Sequence, residues 1–463
     1  MFHVEHFPPY FGIAAACLIS CYAEDSPALP YPSPDQIVHN VAISSQDENV
    51  STLVNAGLQD LLIGYHARAR IYLEEAIRLD EQCALAYCGL LMLEHNNRAE
   101  YSDLLRRLTE SIEQYTPTPK ELFYVETFLK LLNGDTAGAA QDFKQHAATY
   151  RADITAKCWS ILLDYDSNIH PYDEKGNATA QQQELLKRAE ELVRAHMEHP
   201  LAHSVRALIE QHAVQPSEEA LASAHAASQK NPNPATQLLY GHFLYQTKQY
   251  ETAADIFGIA EKEFNDDSVQ RLSAHLYRAT ALCKSGRLNQ AKKETEQFSF
   301  EISNSQTSAA TLYLWEYSTL PLRLILAESK LHSASEIRKA NRFATQILNS
   351  VPNTVEIQKY KNCLVHCIQA QHLFQRNRKS VAQLELNKAE QALSDYSKYV
   401  EQLSQQGSMM RLCSQRALYN CMHAIHTTKA LFYPQTSEIW QQNAADVSAQ
   451  RNRDSHILPP NIF

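Results

Sequence analysis

The spacing of small and large residues between Gly57 and Ala76 constrains the fold of this chain more than any other feature of its sequence. Ala69, Leu73 and Ala76 stand at i, i+4 and i+7, so they share one face of a helix. The two alanines let a neighbouring helix approach, and Leu73 fills the space between them. Gly57 stands twelve residues before Ala69, where a missing side chain permits a close crossing. The spacing therefore predicts two closely packed antiparallel helices.

The same spacing recurs along the chain, which indicates repeated helix pairs. Two copies keep the mutual distances well, and a third is looser. Weaker copies run through Thr127, Ala139 and Phe143 and through Ala189, Val193 and Pro200. The members of the three better copies are Leu208, Ala220, Ala224, Ala227 and Pro232; Gly241, Leu244, Ala253, Phe257 and Ala260; and Ala279, Leu282, Ala291, Thr295 and Phe298.

The pattern resembles the tetratricopeptide repeat, a helix pair of about 34 residues with a small residue at the first crossing, Ala and an aromatic on the second helix, and Pro at the end. The first unit, "NAGLQDLLIGYHARARIYLEEAIRLDEQCALAYCGLLM", is similar to opening repeats of bacterial proteins. It departs from the family at Leu73, where Phe is usual, and at Glu81, where Pro is usual. The resemblance covers about residues 51–300. It implies an all-α, right-handed α-solenoid of antiparallel helix pairs.

Composition supports a helical chain throughout. Only 11 of the 463 residues are Gly, whereas sandwiches and barrels need many Gly and Pro turns. No run of β-branched residues alternates with polar ones, so almost no sheet is expected. Beyond residue 300 the repeat spacing fades, and the region 301–450 is either degenerate repeats or a helical cap, followed by a polar tail at 451–463. The helices expected there are Ser308–Leu331, Ser335–Ser350, Thr354–Arg376, Val381–Leu403 and Met409–Phe432.

The first 50 residues are typical of an exported chain. Phe11–Ser20, "FGIAAACLIS", is an apolar run of signal-peptide length, although no Lys or Arg precedes it. Two cleavage sites fit residues 1–23: a lipobox that would leave Cys21 lipidated, or a small-x-small site at Cys21-Tyr22-Ala23. The Pro-rich residues 24–50 indicate an extended linker. We expect a periplasmic or envelope-anchored protein that meets a membrane only through a lipid anchor; the alternative is a cytoplasmic chain.

The charge distribution argues against a nucleic-acid partner. The net charge is -10, and basic residues are spread along helices beside acidic ones, as at Lys187-Arg188 and Glu190-Glu191. Nucleic-acid binders normally carry a basic patch or stripe. We therefore expect a protein or peptide partner and no nucleic acid.

The sequence contains no recognisable catalytic set and no motif for a cofactor. The motifs G-x-S-x-G and H-E-x-x-H and a Gly-rich phosphate loop are absent. Cys363, His366 and Cys367 fall within about one helical turn and form a weak candidate for zinc or copper. The set lacks a fourth ligand, so packing of small residues is the competing interpretation. We expect no enzyme activity and no cofactor.

The resemblance also implies a binding surface, because tetratricopeptide arrays bind partners in a concave groove lined by their first helices. Positions flanking the small crossing residue are apolar, aromatic or His, without a Lys and Arg cluster for acidic C-termini. They are Val205, Ile209 and His212; Leu238, His242 and Tyr245; and Leu276 and Thr280. The function expected is a scaffold or assembly factor. One alternative is a glycan- or nutrient-binding lipoprotein with aromatic platforms at Tyr245, Trp315 and Tyr317, and another is an enzyme with a site in the C-terminal half.

Overall fold

A computed structural model describes most of the chain. The described residues are 41, 43–45, 47–94, 98–114, 117–166, 171, 177–211, 213, 216–264, 269–287, 289–291, 293–294, 322, 325–326, 333–349, 355–403 and 409–455. Cys21, His212, Trp315 and Tyr317 lie outside them, as does most of the helix expected at 308–331. The predictions made for those residues therefore stay predictions.

The described residues are predominantly helical and contain no β-strand, in agreement with the fold class expected from the repeat. None of the described helices is long and apolar enough to cross a bilayer. The first thirteen helices are α1 (Glu48–Leu62), α2 (His66–Leu79), α3 (Ala84–Glu94), α4 (Arg98–Gln114), α5 (Pro119–Leu132), α6 (Thr136–Thr149), α7 (Ile154–Asp166), α8 (Ala180–Ala195), α9 (Pro200–Leu208), α10 (Glu218–Lys230), α11 (Pro234–Gln246), α12 (Tyr250–Glu263) and α13 (Val269–Lys284). Five more follow: α14 (Ala334–Asn349), α15 (Val355–Gln375), α16 (Lys379–Leu403), α17 (Met409–Phe432) and α18 (Ser437–Ser455).

The chain divides into two compact units. Among the described residues, the first unit contains those up to Lys248 together with Ile256–Arg271, and the second contains Gln249–Asp255 and those from Leu272 onwards. The sequence instead predicted a boundary near residue 300, where the repeat spacing fades. The helices expected between 335 and 432 are confirmed to within two residues at each end, while α18 was not expected and reaches Ser455.

Helices α1 to α12 form successive antiparallel pairs, in which odd-numbered helices are the first helices and even-numbered ones the second. Local sequence explains where several of them begin. Thr118, Thr179 and Ser217 each accept a hydrogen bond from the backbone N–H three residues later, which caps α5, α8 and α10. Asn233 and Thr236 form a reciprocal capping box at α11.

The small residues of the repeat allow the close crossings that the spacing predicted. A Cβ atom placed on Gly57 of α1 would lie 2.7 Å from Leu73 Cγ, and one on Gly89 of α3 would lie 2.7 Å from Leu73 Cδ1. Leu73 of α2 is therefore held between two glycines on successive first helices. In the first unit's last pair, a Cβ on Gly241 would lie 2.7 Å from Phe257 Cε1.

Most described residues assigned to the repeat are buried; Leu208 and Val193 are half-buried, and Pro232 is exposed. Full burial of an alanine at a crossing is expected where helices approach closely. The fully or nearly fully buried positions are Gly57, Ala69, Leu73, Ala76, Ala220, Ala227, Gly241, Ala253, Phe257, Ala260, Ala279 and Ala291.

Four of the turns that follow first helices share one backbone conformation. Gly64 follows α1 with a φ of 82°, and Gly134 follows α5 with the same value. Gly286 and Lys248 occupy equivalent places after α13 and α11, with φ of 83° and 64°. After Gly64, the Tyr65 N–H donates to the Asp60 carbonyl at 2.7 Å, the bond that closes a Schellman turn.

The second unit contains a copy of the repeat that the sequence analysis missed. Ala370, Ala382, Leu386 and Ala389 stand at the same mutual distances as Gly57, Ala69, Leu73 and Ala76, and all four are buried. Asn377, the equivalent of Gly64, has a φ of 59°, and the Arg378 N–H donates to the Leu373 carbonyl at 2.9 Å. Helices α15 and α16 therefore form a repeat-type pair.

Candidate partner-binding site

The first unit contains a cavity between its later first helices, which we call the first-helix cavity. It has a volume of about 30 Å³ and is partly open to solvent. Its walls come from α9, α11, the turn after α1 and the first residues of α13. Its principal lining residues are Leu208, Gln211, Leu238, Leu239, His242 and Gln270.

The turn after α1 reaches this cavity because the first unit closes on itself. Gln270 Nε2 donates a hydrogen bond to the Gly64 carbonyl, 206 residues away in sequence. Beside it the Tyr65 ring meets the Phe264 ring edge-on, with centroids 5.8 Å apart. Ile63, just before this turn, also lines the cavity. The turn thus covers one side of the surface that the first helices form.

A buried ion pair fixes this turn. Arg68 donates two hydrogen bonds to the Asp60 carboxylate, at 2.6 and 2.7 Å, and its guanidinium lies 4.6 Å from the Tyr65 ring centroid. Burial raises the pKa of Asp60 above its ordinary value, and the Arg68 partner opposes that shift. The paired, desolvated charges hold Tyr65 in position for its contact with Phe264.

Only some of the residues expected in a groove line the first-helix cavity. Leu238 and His242 do, and the His242 ring meets the Phe257 ring edge-on at 5.5 Å. Val205 and Ile209 have no exposed surface and belong to the core, because α9 ends at Leu208 and a turn carries Ile209 inward. Tyr245 is half-buried on α11.

The remaining two groove residues lie in the second unit. Leu276 is 4% exposed, and Thr280 is half-buried, with its hydroxyl donating to the Leu276 carbonyl at 2.7 Å. The hydroxyl hydrogen of Thr280 is therefore engaged in a hydrogen bond within its own helix.

Glutamine side chains, which the sequence analysis did not single out, hold the turn after α9. Gln182 Nε2 donates to the Ile209 carbonyl and Gln246 Nε2 to the Gln211 carbonyl, both at 2.6 Å. Gln211 itself is 3% exposed and lines the cavity, and its side-chain Oε1 accepts no hydrogen bond. The sequence offered no periodic signal for these residues, since glutamine is equally common on solvated helix faces.

A buried network fixes the connection between α9 and α10 behind the cavity. Arg206, 3% exposed, donates to Glu210 Oε2 at 2.5 Å and to Ser217 Oγ at 3.2 Å. Glu210 Oε1 accepts a hydrogen bond from the Ser217 N–H at 3.0 Å. Ser217 caps α10, so this network couples the end of the first helix of this pair to the start of its second helix.

A second buried network surrounds Asp153 at the start of α7. Its Oδ1 accepts from the Tyr124 hydroxyl and the Ala156 N–H, both at 3.1 Å, and its Oδ2 lies 3.0 Å from Lys120 Nζ and 3.2 Å from His146 Nε2. Burial lowers the pKa of His146, while Asp153 acts in the opposite direction. Asp153 caps α7 through the Ala156 N–H, so the network stabilises the start of that helix.

The three residues proposed for a metal do not converge. Cys363 and Cys367 are buried on the inner face of α15, whereas His366 Nδ1 lies 2.7 Å from Glu385 Oε2 on α16. A thiol hydrogen bond with Cys363 and burial raise the pKa of Cys367 well above its ordinary value. The described part of the chain holds no group of three ligands arranged for a metal ion. None of the seven cysteine side chains in this part of the chain forms a disulfide.

No family model matches the chain, and no curated protein matches it. The chain is similar to a solved human IFIT1 dimer with m7Gppp-AAAA, with 12% identity, a TM-score of 0.35, and coverage of 88% of this chain and 95% of that chain. A human IFIT1 dimer with PPP-AAAA gives 12% identity and a TM-score of 0.33 at the same coverage. Because these TM-scores lie below 0.5, the fold assignment rests on the helix pairs and turns described above.

Proposed function

We propose that this chain is a binding scaffold without catalytic activity, which takes a segment of a partner protein on the first-helix surface of its first unit. The observation that carries this proposal is the first-helix cavity. Leu238 and His242, which flank the crossing residue Gly241, meet there with residues of α9 and of the turn after α1. Repeat arrays that stack helix pairs bind partners over surfaces of this kind.

The chemistry of the cavity favours a neutral protein segment over a nucleic acid. Among the residues that line it, none is Lys, Arg, Asp or Glu. Phosphate groups are bound by cationic side chains or by clusters of free backbone N–H groups, and nucleic-acid affinity depends mainly on the cations. An apolar wall with a few buried polar groups is the usual lining of a site for a neutral ligand.

Site-directed photo-crosslinking in the native host tests the proposal. Benzoylphenylalanine replaces Leu208 or Tyr245 on the first-helix surface and, as the matched control, Glu219, which is exposed on α10. We expect one partner protein to be captured from Leu208 and Tyr245 and not from Glu219. Capture from Glu219 alone, or equal capture from all three positions, would contradict the proposal.

We infer that this scaffold works outside the cytoplasm, on the strength of the apolar run Phe11–Ser20 and the small residues around Cys21. Intact-mass measurement of the mature protein from its host tests this inference. We expect loss of the residues before Cys21, with a lipid-sized gain on that cysteine if the lipobox is used. A full-length, unmodified chain would place the scaffold in the cytoplasm and leave the binding proposal unchanged.

A further inference from the structure

Gln211 lines the first-helix cavity and carries a side-chain oxygen that accepts no hydrogen bond. The residue is 3% exposed, and its Oε1 accepts no hydrogen bond. A buried amide oxygen without a partner is unfavourable relative to the same group in water. An occupant that donates a hydrogen bond to this oxygen would remove that penalty.

Three neighbouring polar side chains donate hydrogen bonds to acceptors other than Gln211. Ser204 Oγ donates to the Pro200 carbonyl at 3.2 Å, and Thr236 Oγ1 donates to the Asn231 carbonyl at 2.9 Å. Gln270 Nε2 donates to the Gly64 carbonyl. These hydrogen bonds are made to backbone carbonyls and leave Gln211 Oε1 without a donor.

The cavity disfavours an anion. None of its lining residues is Lys or Arg, and a carboxylate would bring its own negative oxygens towards Gln211 Oε1. A charged group removed from water without a partner pays a large desolvation penalty. The complementary occupant is neutral and carries at least one N–H donor.

The size of the cavity restricts the occupant further. One water needs about 10–15 Å³ of such space, so a cavity of about 30 Å³ holds about two water-sized groups. The nitrogen and oxygen of a primary amide are two such groups. The apolar walls from Leu208, Leu238 and Leu239 suit the short aliphatic stem that carries them.

We propose that the first-helix cavity is a subsite for a primary carboxamide, the end group of an Asn or Gln side chain in the bound segment, with Gln211 accepting its N–H. The inference rests on the proposed function, because it names the chemistry of the partner segment at that same site. It also assigns Gln211 as a specificity-determining residue, since an amide in this position distinguishes carboxamide from carboxylate.

Acetamide and acetate, which have nearly the same shape, are the probes for this subsite. Ligand-observed NMR on the full chain measures the Kd of each, and isotope-edited NOEs locate the acetamide methyl group. We expect acetamide to bind at least tenfold more tightly than acetate, with NOEs to the Leu238 and Leu239 methyl groups. Equal affinities, or NOEs to other methyl groups, would overturn the subsite even if no variant could be made.

Two variants test whether Gln211 contributes to acetamide binding. Gln211→Leu should weaken acetamide at least fivefold, while the control Gln391→Leu, exposed on α16, should leave it unchanged. An equal Kd for acetamide in a folded Gln211→Leu protein would remove Gln211 from the subsite.

A competition experiment separates the two proposals. Saturating acetamide should reduce crosslinking from Leu208 to the partner. Crosslinking that is unaffected by acetamide would show that the partner's group does not enter the cavity. If acetamide binds but no partner protein is captured, the scaffold proposal is contradicted and the subsite proposal is not.

Discussion

At the scale of single residues, the small–large spacing identifies the crossing positions correctly, and the structure shows why. Leu73 fills the space that Gly57 and Gly89 leave, so each of these residues is constrained by the other two. The role of Gly89 was not predicted, because the side chain that limits its size is Leu73 of the preceding helix pair. Gln211 could not be found from its type, since only the tertiary packing of α9 and α11 buries it.

Gly57→Ala tests the close crossing. Alanine would gain about 1 kcal/mol in helix propensity. The added Cβ would lie 2.7 Å from Leu73 Cγ, which is near the stem of that side chain and cannot swing away. Overpacking of this kind costs about 1–3 kcal/mol, so we expect a net loss of about 1 kcal/mol in the free energy of unfolding. Denaturant unfolding measures it, and a stabilised Gly57→Ala protein would contradict the close crossing.

The double variant Gly57→Ala/Leu73→Val serves as the control for that experiment. Shortening Leu73 makes room for the new methyl group, so the two changes should cost less together than the sum of their separate effects. Additive losses in the free energy of unfolding would show that the side chains at positions 57 and 73 are not in contact.

The pKa of His146 predicts a pH dependence. Burial lowers it from the ordinary value of 6.5, so the unfolded chain binds the proton more readily than the folded one. The free energy of unfolding should therefore fall as the pH drops below about 6.5. Unfolding at pH 7.5 and 5.0 measures the fall, and His146→Gln should reduce it. An unchanged pH dependence in His146→Gln would contradict this assignment.

At the scale of elements, the sequence defined the helices well where caps and spacing agree. The ends of α14 to α17 follow the expected bounds closely, because polar caps and breaks in apolar periodicity mark them. The pair of α15 and α16 was not assigned to the repeat, since Asn377 replaces the glycine of the turn and Ala370 the glycine of the crossing. The i, i+4, i+7 signal of Ala382, Leu386 and Ala389 was present and would have revealed it.

The turn after α15 tests this assignment. Asn377 has a φ of 59°, a conformation that Gly and Asn adopt more easily than other residues. Asn377→Ala should therefore lower the free energy of unfolding by about 1 kcal/mol, while Asn377→Gly should leave it nearly unchanged. Equal stability of the two variants in thermal unfolding would contradict the shared turn.

At the scale of the whole molecule, no local pattern predicted the closure of the first unit. Gln270 and Gly64 are 206 residues apart, and the contact depends on the accumulated rotation of six helix pairs. The closure matters for function because the same turn contributes Ile63 to the first-helix cavity. The division into units near residues 249–271 was likewise invisible, because the repeat spacing continues across it.

Gln270→Ala tests the closure. The variant loses one partly buried hydrogen bond, a loss of about 1 kcal/mol. Opening of the closure should raise hydrogen exchange in the backbone of Leu62–Tyr65 while α5 and α6 keep their protection. Unchanged exchange at this turn would show that the Gln270 contact does not hold the unit closed.

Hydrogen exchange of the first unit, with and without the captured partner, tests the central claim most directly. We expect new protection in α9 and α11, whose residues line the first-helix cavity, and little change in α10, none of whose residues lines it. Protection confined to α10 and the other second helices would contradict the claim that partners bind the first-helix surface.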